Sequence, residues 1–213
     1  QAKWRDAIKA AFPDIEGLTL DFRFVTYDDI FAKTDISFFD TAGALWKLTK
    51  SGVSSLGRSK RGVISNISDK IRWTAGYVGA WVEDEGFQQQ SRKRILDAVR
   101  EHRPDVILAH SLGSLVTYNA FSHPDAKEEQ VKRLLAKAKY VTLGSQIANP
   151  FVIRNLTNGR VLPLAVSFWH HLYNIHDSVF TAPIRLWDGA NFRQTETPFD
   201  VDGIADHAAE SYF

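Results

Sequence analysis

The most informative segment of the chain is Val106-Ile-Leu-Ala-His-Ser-Leu-Gly-Ser-Leu-Val116. Its first four residues form a continuous apolar run, which is typical of a strand buried on both faces of a parallel sheet. The apolar pattern then continues through Leu115 as a helix to about Phe121. The segment therefore predicts a buried strand that turns sharply at Ser111 and leaves as a helix.

A sharp strand-to-helix turn forces its central residue into a strained backbone conformation, so the residues two positions away must be small. Ala109 and Gly113 meet that requirement. The turn would lift the Ser111 hydroxyl above the sheet, at the positive end of the following helix. The backbone N–H of Leu112 would then point to where an oxyanion develops during acyl transfer. Ser111 is thus a candidate nucleophile, with a helix N-cap as the alternative role.

Helix-like and strand-like patterns alternate outward from this turn. Helices are predicted over residues 1–12, 88–102, 115–121, 128–139 and 204–212, and strands over 18–25, 106–109, 140–144, 166–175 and 192–197. This alternation predicts an α/β protein, with a mostly parallel sheet flanked by helices, in a single domain spanning 1–213. The stretch of about 30–86 interrupts the pattern with aromatic segments and a basic Gly- and Ser-rich loop at 51–62. It indicates an insertion that could cover the site as a cap.

The composition is that of a soluble globular protein. Among 213 residues, 26 Lys and Arg nearly balance 25 Asp and Glu, and 44% of residues are hydrophobic. The formal net charge of +1 argues against a general nucleic-acid binder. The absence of Cys excludes disulfides, thiolate metal sites and a Cys nucleophile in this sequence. No apolar run approaches the roughly 20 residues of a membrane span, and no secretory signal pattern opens the sequence, so a cytoplasmic location is favoured.

The turn Ala109-His110-Ser111-Leu112-Gly113 resembles the nucleophile elbow of the α/β-hydrolase superfamily, in its lipase and esterase branch, whose signature is Gly-x-Ser-x-Gly. Alanine replaces the first glycine, a change that sterics allow. The resemblance implies the α/β-hydrolase fold and a serine hydrolase that cleaves a carboxylic ester through an acyl-enzyme, with no cofactor or metal. It also implies a small-molecule or lipid-like ester substrate, no nucleic-acid partner, and at most peripheral contact with lipid.

The superfamily's catalytic residues occur in the order Ser, acid, His along the chain. The resemblance puts the general base at His207, which follows the last predicted strand, and the acid at Asp177, just beyond the 166–175 strand. Asp188 is the second choice for the acid. The Leu112 N–H is the implied donor of the oxyanion hole. The superfamily's second donor comes from a loop before the first helix, and the resemblance places that loop upstream of Gln1. The alternative is that this protein builds its oxyanion hole from other residues.

Several alternatives stay open at this point. A hydrolase-fold module that only binds a ligand, and an acyltransferase that uses the same triad, both fit the sequence. His110 adjoins Ser111 and is expected to line the pocket or to hydrogen-bond the backbone. Two further patterns are weak: a His cluster without recognisable metal-ligand spacing, and a Gly-rich segment that lacks the Lys of a phosphate-binding loop. They comprise His170, His171 and His176, and Gly52–Ser59.

Overall fold

The computed structural model describes residues 1–11, 16–17, 19–31, 69–174, 177, 183–186, 189–197 and 207–212. The α-helices are α1 (Ala2–Ala11), α2 (Asp28–Phe31), α3 (Asp69–Glu83), α4 (Glu85–His102), α5 (Leu112–Ser122), α6 (Glu129–Leu135) and α7 (Pro150–Leu156). The strands are β1 (Val106–His110), β2 (Lys139–Leu143), β3 (Phe168–Tyr173) and β4 (Phe192–Glu196). Short 3-10 helices span Pro124–Lys127 and Ala209–Tyr212.

The four strands form one sheet in the order β1-β2-β3-β4, and every neighbouring pair is parallel. His110 at the end of β1 is level with Leu143 at the end of β2, which is level with Leu172 of β3. The segments that leave these strands therefore emerge at the same edge of the sheet. The prediction of an α/β protein with a parallel sheet and flanking helices is confirmed.

Side chains alternate between the two faces of the sheet, and each face has its own apolar cluster. Tyr140 of β2 points into the main core, where Trp81, Tyr118 and Trp169 are almost fully buried. Leu143, three residues further along β2, faces the opposite side of the sheet and belongs to a small second cluster there. That cluster also holds the residues Ala209 and Tyr212, with Trp4, Val141 and Leu172 packed against it. α1 and the C-terminal 3-10 helix cover this second face, beside the carboxyl edge of the sheet.

Several helix boundaries differ from the sequence expectation for local reasons. α4 begins at Glu85 rather than 88, because the Asp84 side chain caps it by accepting from the Phe87 N–H at 2.9 Å. The helix expected over 128–139 ends at Leu135, because the Lys139 N–H already bonds the Asp105 carbonyl oxygen as β2 begins. α7 was not expected, although Asn149 caps it and Pro150 is its first residue.

The strand predicted over 18–25 is wrong in the part that the structure describes. Residues 19–27 form no ladder with the sheet, and Leu20 and Val25 are 36% and 38% exposed. The Arg5 guanidinium of α1 lies 6.0 and 5.9 Å from the ring centroids of Phe22 and Phe24. These rings therefore meet α1 instead of a neighbouring strand; Leu18 lies outside the described residues.

Most of the predicted insertion lies outside the described residues, including the loop at 51–62 and any cap formed by 32–68. Its last part belongs to the body of the domain, since Val78, Trp81 and Val82 of α3 are buried in the main core. Within the described ranges, none of the helices has the length and apolar character needed to cross a bilayer.

Candidate active site

The backbone at Ser111 is strained. Ser111 joins β1 to α5 with φ 52° and ψ −129°, and its N–H donates to the Leu143 carbonyl oxygen at 3.0 Å. A non-glycine residue in such a conformation costs about 1–3 kcal/mol and is found mainly at functional sites. The side chain makes no capping hydrogen bond to α5, so the N-cap alternative is not what the structure shows. The strained turn instead directs the buried hydroxyl to His207 at the carboxyl edge of the sheet.

Polar contacts beneath the turn hold it in place. The Ser114 hydroxyl lies 2.5 Å from the Ser111 carbonyl oxygen and 2.5 Å from the Ser145 hydroxyl, and both serine side chains are fully buried. At Gly113, a Cβ atom would lie 3.0 Å from the Tyr27 hydroxyl, which explains why this position must be small. The loop after β2 and the Tyr27 side chain thus support the turn from below.

The His207 imidazole lies against the candidate nucleophile. His207 Nε2 is 2.8 Å from Ser111 Oγ, although 96 residues separate them in the chain. Both residues are 8% exposed. This distance is within hydrogen-bond reach, which a general base requires.

A buried carboxylate lies on the other side of the same imidazole. His207 Nδ1 is 2.9 Å from Asp177 Oδ1 and 2.7 Å from Oδ2, and Asp177 is 1% exposed. A carboxylate at Nδ1 favours the tautomer that carries its proton there, which leaves the Nε2 lone pair directed at the Ser111 hydroxyl. The structure thus brings Ser111, His207 and Asp177 together in one hydrogen-bonded series.

Two residues that the sequence reasoning missed complete the surroundings of the acid. The Tyr212 hydroxyl donates to Asp177 Oδ2 at 2.7 Å. Gly144 follows β2 with φ +52°, and a Cβ there would lie 3.2 Å from each of Asp177 Oδ2, His207 Cε1 and the Tyr212 hydroxyl. A glycine directly after a buried strand was a usable signal for Gly144, whereas nothing in the local sequence singles out Tyr212.

His110 bonds the backbone of the candidate base, as one of its two expected roles required. Its Nε2 is 2.7 Å from the His207 carbonyl oxygen, and the ring centroids are 4.7 Å apart. Because a carbonyl only accepts, Nε2 carries the proton. Burial, and secondarily the nearby His207 ring, lower the pKa of His110 to about 3. His110 therefore stays neutral and places no positive charge beside the imidazole of His207.

The lowered pKa of His110 predicts a loss of stability on acidification. Below pH 6.5 the unfolded chain takes up a proton at His110 that the folded chain refuses until about pH 3. Between pH 6.5 and 5.0 this lowers the free energy of unfolding by about 1.5 kcal/mol. The drop measured by urea unfolding should be larger by this amount in the wild type than in His110→Gln, because His170, whose pKa burial also lowers, contributes equally in both proteins. An equal drop in both proteins would contradict the interpretation.

The remaining predicted residues are placed as follows. Leu112 is the first residue of α5, so its N–H is among those with no acceptor carbonyl oxygen within the helix. Its role in the oxyanion hole stays a prediction. His170 and His171 point to opposite faces of β3, where they bond Thr195 and Thr142 respectively. Among the described residues, no group of three or more His, Asp or Glu could hold a metal ion. The residues Asp188 and His176 lie outside the described part.

Comparison of the chain with models of known protein families, with curated proteins and with solved structures finds no match. The interpretation of the site therefore depends on its own geometry and chemistry.

Proposed function

We propose that the protein is a serine hydrolase of the α/β-hydrolase type, which cleaves a carboxylic ester through an acyl-enzyme intermediate. The observation that carries this proposal is the series Ser111–His207–Asp177, with 2.8 Å from Oγ to Nε2 and 2.7 Å from Nδ1 to the carboxylate. The strained backbone at Ser111 is the second support. A hydroxyl, an imidazole and a buried carboxylate in this order form the arrangement that activates serine as a nucleophile.

In the acylation step, His207 Nε2 takes the proton of Ser111 Oγ while that oxygen attacks the ester carbonyl carbon. The carbonyl oxygen becomes an oxyanion, which the Leu112 N–H would stabilise. The bond to the leaving alcohol then breaks, and His207 gives its proton to the departing alkoxide. The acyl group stays on Ser111. Throughout this step Asp177 holds the imidazole in place and stabilises its positive charge.

In the deacylation step, His207 removes a proton from water, and the hydroxide attacks the acyl carbon. Collapse of the second tetrahedral intermediate returns the proton to Ser111 and releases a carboxylic acid. Transfer of the acyl group to an alcohol other than water would use the same residues, so product analysis separates hydrolysis from acyl transfer. The lipid-like character of the ester comes from the family resemblance alone.

A module that only binds a ligand is the rival interpretation. Binding alone gives no reason to keep Ser111 at φ 52° or to bury Asp177 against an imidazole, because both features cost free energy of folding. The catalytic proposal accounts for both costs, since a strained, preorganised site is what acyl transfer requires.

A fluorophosphonate probe tests the proposal directly, because it reacts covalently with activated serines. We expect stoichiometric labelling of the wild type and none of Ser111→Ala. Ser122→Ala is the matched control, since Ser122 lies at the far end of α5, and it should label like the wild type. Labelling that persists in Ser111→Ala, or that never occurs in the wild type, would refute the assignment. Esters of increasing acyl length then define the substrate class.

A further inference from the structure

The acid of the candidate triad has a hydrogen-bond donor besides the imidazole. Tyr212 donates its hydroxyl proton to Asp177 Oδ2 at 2.7 Å, and His207 Nδ1 lies 2.7 Å from the same oxygen. Tyr212 is 5% exposed and Asp177 is 1% exposed, so water does not compete for this contact. One carboxylate oxygen is thus shared between a phenol and an imidazole.

Packing on several neighbours restrains Tyr212 in this position. It lies in the C-terminal 3-10 helix, five residues after His207, and its ring belongs to the small apolar cluster with Leu143 and Ala209. α1 packs on the same 3-10 helix. The hydroxyl therefore reaches the carboxylate from a ring that is buried and packed on its neighbours.

A donor on a carboxylate withdraws part of its negative charge. A carboxylate that already accepts a phenolic proton attracts a neighbouring imidazolium less strongly than one that does not. The imidazole then gives up its proton at a lower pH, where it can serve as a base. Tyr212 is suited to this effect because its bond to Asp177 is buried and charge-assisted.

Among the residues that the structure describes, the other ionisable groups near the imidazole leave the Tyr212 contact as a distinct influence. His110 on β1 is neutral, with its Nε2 proton bonded to the His207 carbonyl oxygen. On the C-terminal 3-10 helix, Glu210 is only partly buried. The charged residues of α1 are all exposed to solvent: Lys3, Arg5, Asp6 and Lys9.

We propose that Tyr212 is a positioning residue that shares the Asp177 carboxylate with His207 and so sets the pH range in which His207 acts as a base. This inference rests on the proposed function. It extends the series to Tyr212–Asp177–His207–Ser111, with the phenol acting through the acid.

The test compares the wild type, Tyr212→Phe and Tyr118→Phe across pH. In Tyr212→Phe, we expect the acid limb of the kcat/KM profile to move upward by about 0.5–1 pH unit, since the carboxylate regains its full charge. The rate at pH 6 should fall about threefold to tenfold, and the rate at alkaline pH should change little. Tyr118→Phe is the matched control, because the buried Tyr118 hydroxyl bonds the Leu162 backbone in the main core. It should lose stability without moving the limb.

Two further measurements test the role of Tyr212 separately from the proposed function. Replacing Tyr212 with 3-fluorotyrosine preserves its shape but strengthens the donor, so the acid limb should move downward. NMR titration of the His207 ring should show the same two directions, and this readout does not require turnover. An unmoved limb and an unmoved ring titration in both variants would overturn the role of Tyr212, even where Ser111 labels normally. Failure of the probe to label Ser111 would instead reject the proposed function.

Discussion

His207→Ala is expected to lower kcat for an activated ester by about 10⁵- to 10⁶-fold, close to the effect of losing the whole triad. The expectation follows from geometry, because His207 Nε2 is 2.8 Å from Ser111 Oγ. A serine hydroxyl without a base is a weak nucleophile at neutral pH. Steady-state hydrolysis of a chromogenic short-chain ester, with burst kinetics to count active sites, measures the loss.

His102→Ala is the control for this experiment, since it removes an imidazole from the end of α4. Its kcat should equal that of the wild type. The substitution in His207→Ala removes a ring that is packed against His110, so its folding must be checked. Unfolding curves should show that the variant is folded. If the kcat of His207→Ala were within tenfold of the wild-type value, another group would have to remove the serine proton. That result would contradict the mechanism described above.

Asp177→Asn should lower kcat by about 10⁴-fold while leaving the protein folded. The amide is nearly the same size as the carboxylate, so its oxygen can still accept from Tyr212 at the Oδ2 position while its nitrogen takes the Oδ1 position, 2.9 Å from His207 Nδ1. An amide that donates its N–H to Nδ1 stabilises the tautomer with the proton on Nε2. That tautomer cannot accept the Ser111 proton, and no carboxylate remains to stabilise the imidazolium.

Asp188→Asn is the matched comparison, because Asp188 is the other acid that the sequence offers. It should retain kcat within a few-fold of the wild type. The reverse outcome, with Asp188→Asn inactive and Asp177→Asn active, would show that the acid is misassigned. The loss in Asp177→Asn should also shrink at alkaline pH, where hydroxide replaces part of the function of the base.

The strand and helix around Ser111 are predictable because their signals are local, although the expected burial of the strand on both faces is wrong, since Val106 is 50% exposed and only Ala109 of β1 is buried. A run of four apolar residues indicates β1, and the small residues Ala109 and Gly113 indicate a sharp turn. The family resemblance predicts Asp177 and His207 from their order along the chain, and the structure places His207 against Ser111 and Asp177 against His207. Their catalytic roles stay predictions until the variants are measured.

What the sequence does not reveal depends on contacts between distant segments. Tyr212 reaches Asp177 across 35 residues, and no local pattern marks a tyrosine as a donor to an acid. The segment at 18–25 shows the opposite failure. Its alternating pattern is typical of a half-buried strand. In the structure, however, Phe22 and Phe24 contact Arg5 of α1. Alternation alone does not show whether the apolar side chains of a segment pack on a helix or join a sheet.

Gly144 means that the floor under the acid and base consists of main chain, which has no rotamers. A Cβ at this point would come within 3.2 Å of Asp177, His207 and Tyr212 at once. His207 and Asp177 are in hydrogen-bond contact above this floor, so in the proposed mechanism substrate binding need not supply the free energy to assemble the pair. In the proposed mechanism, little rearrangement would then be left for the moment at which charge appears on the imidazole, which would lower the activation barrier.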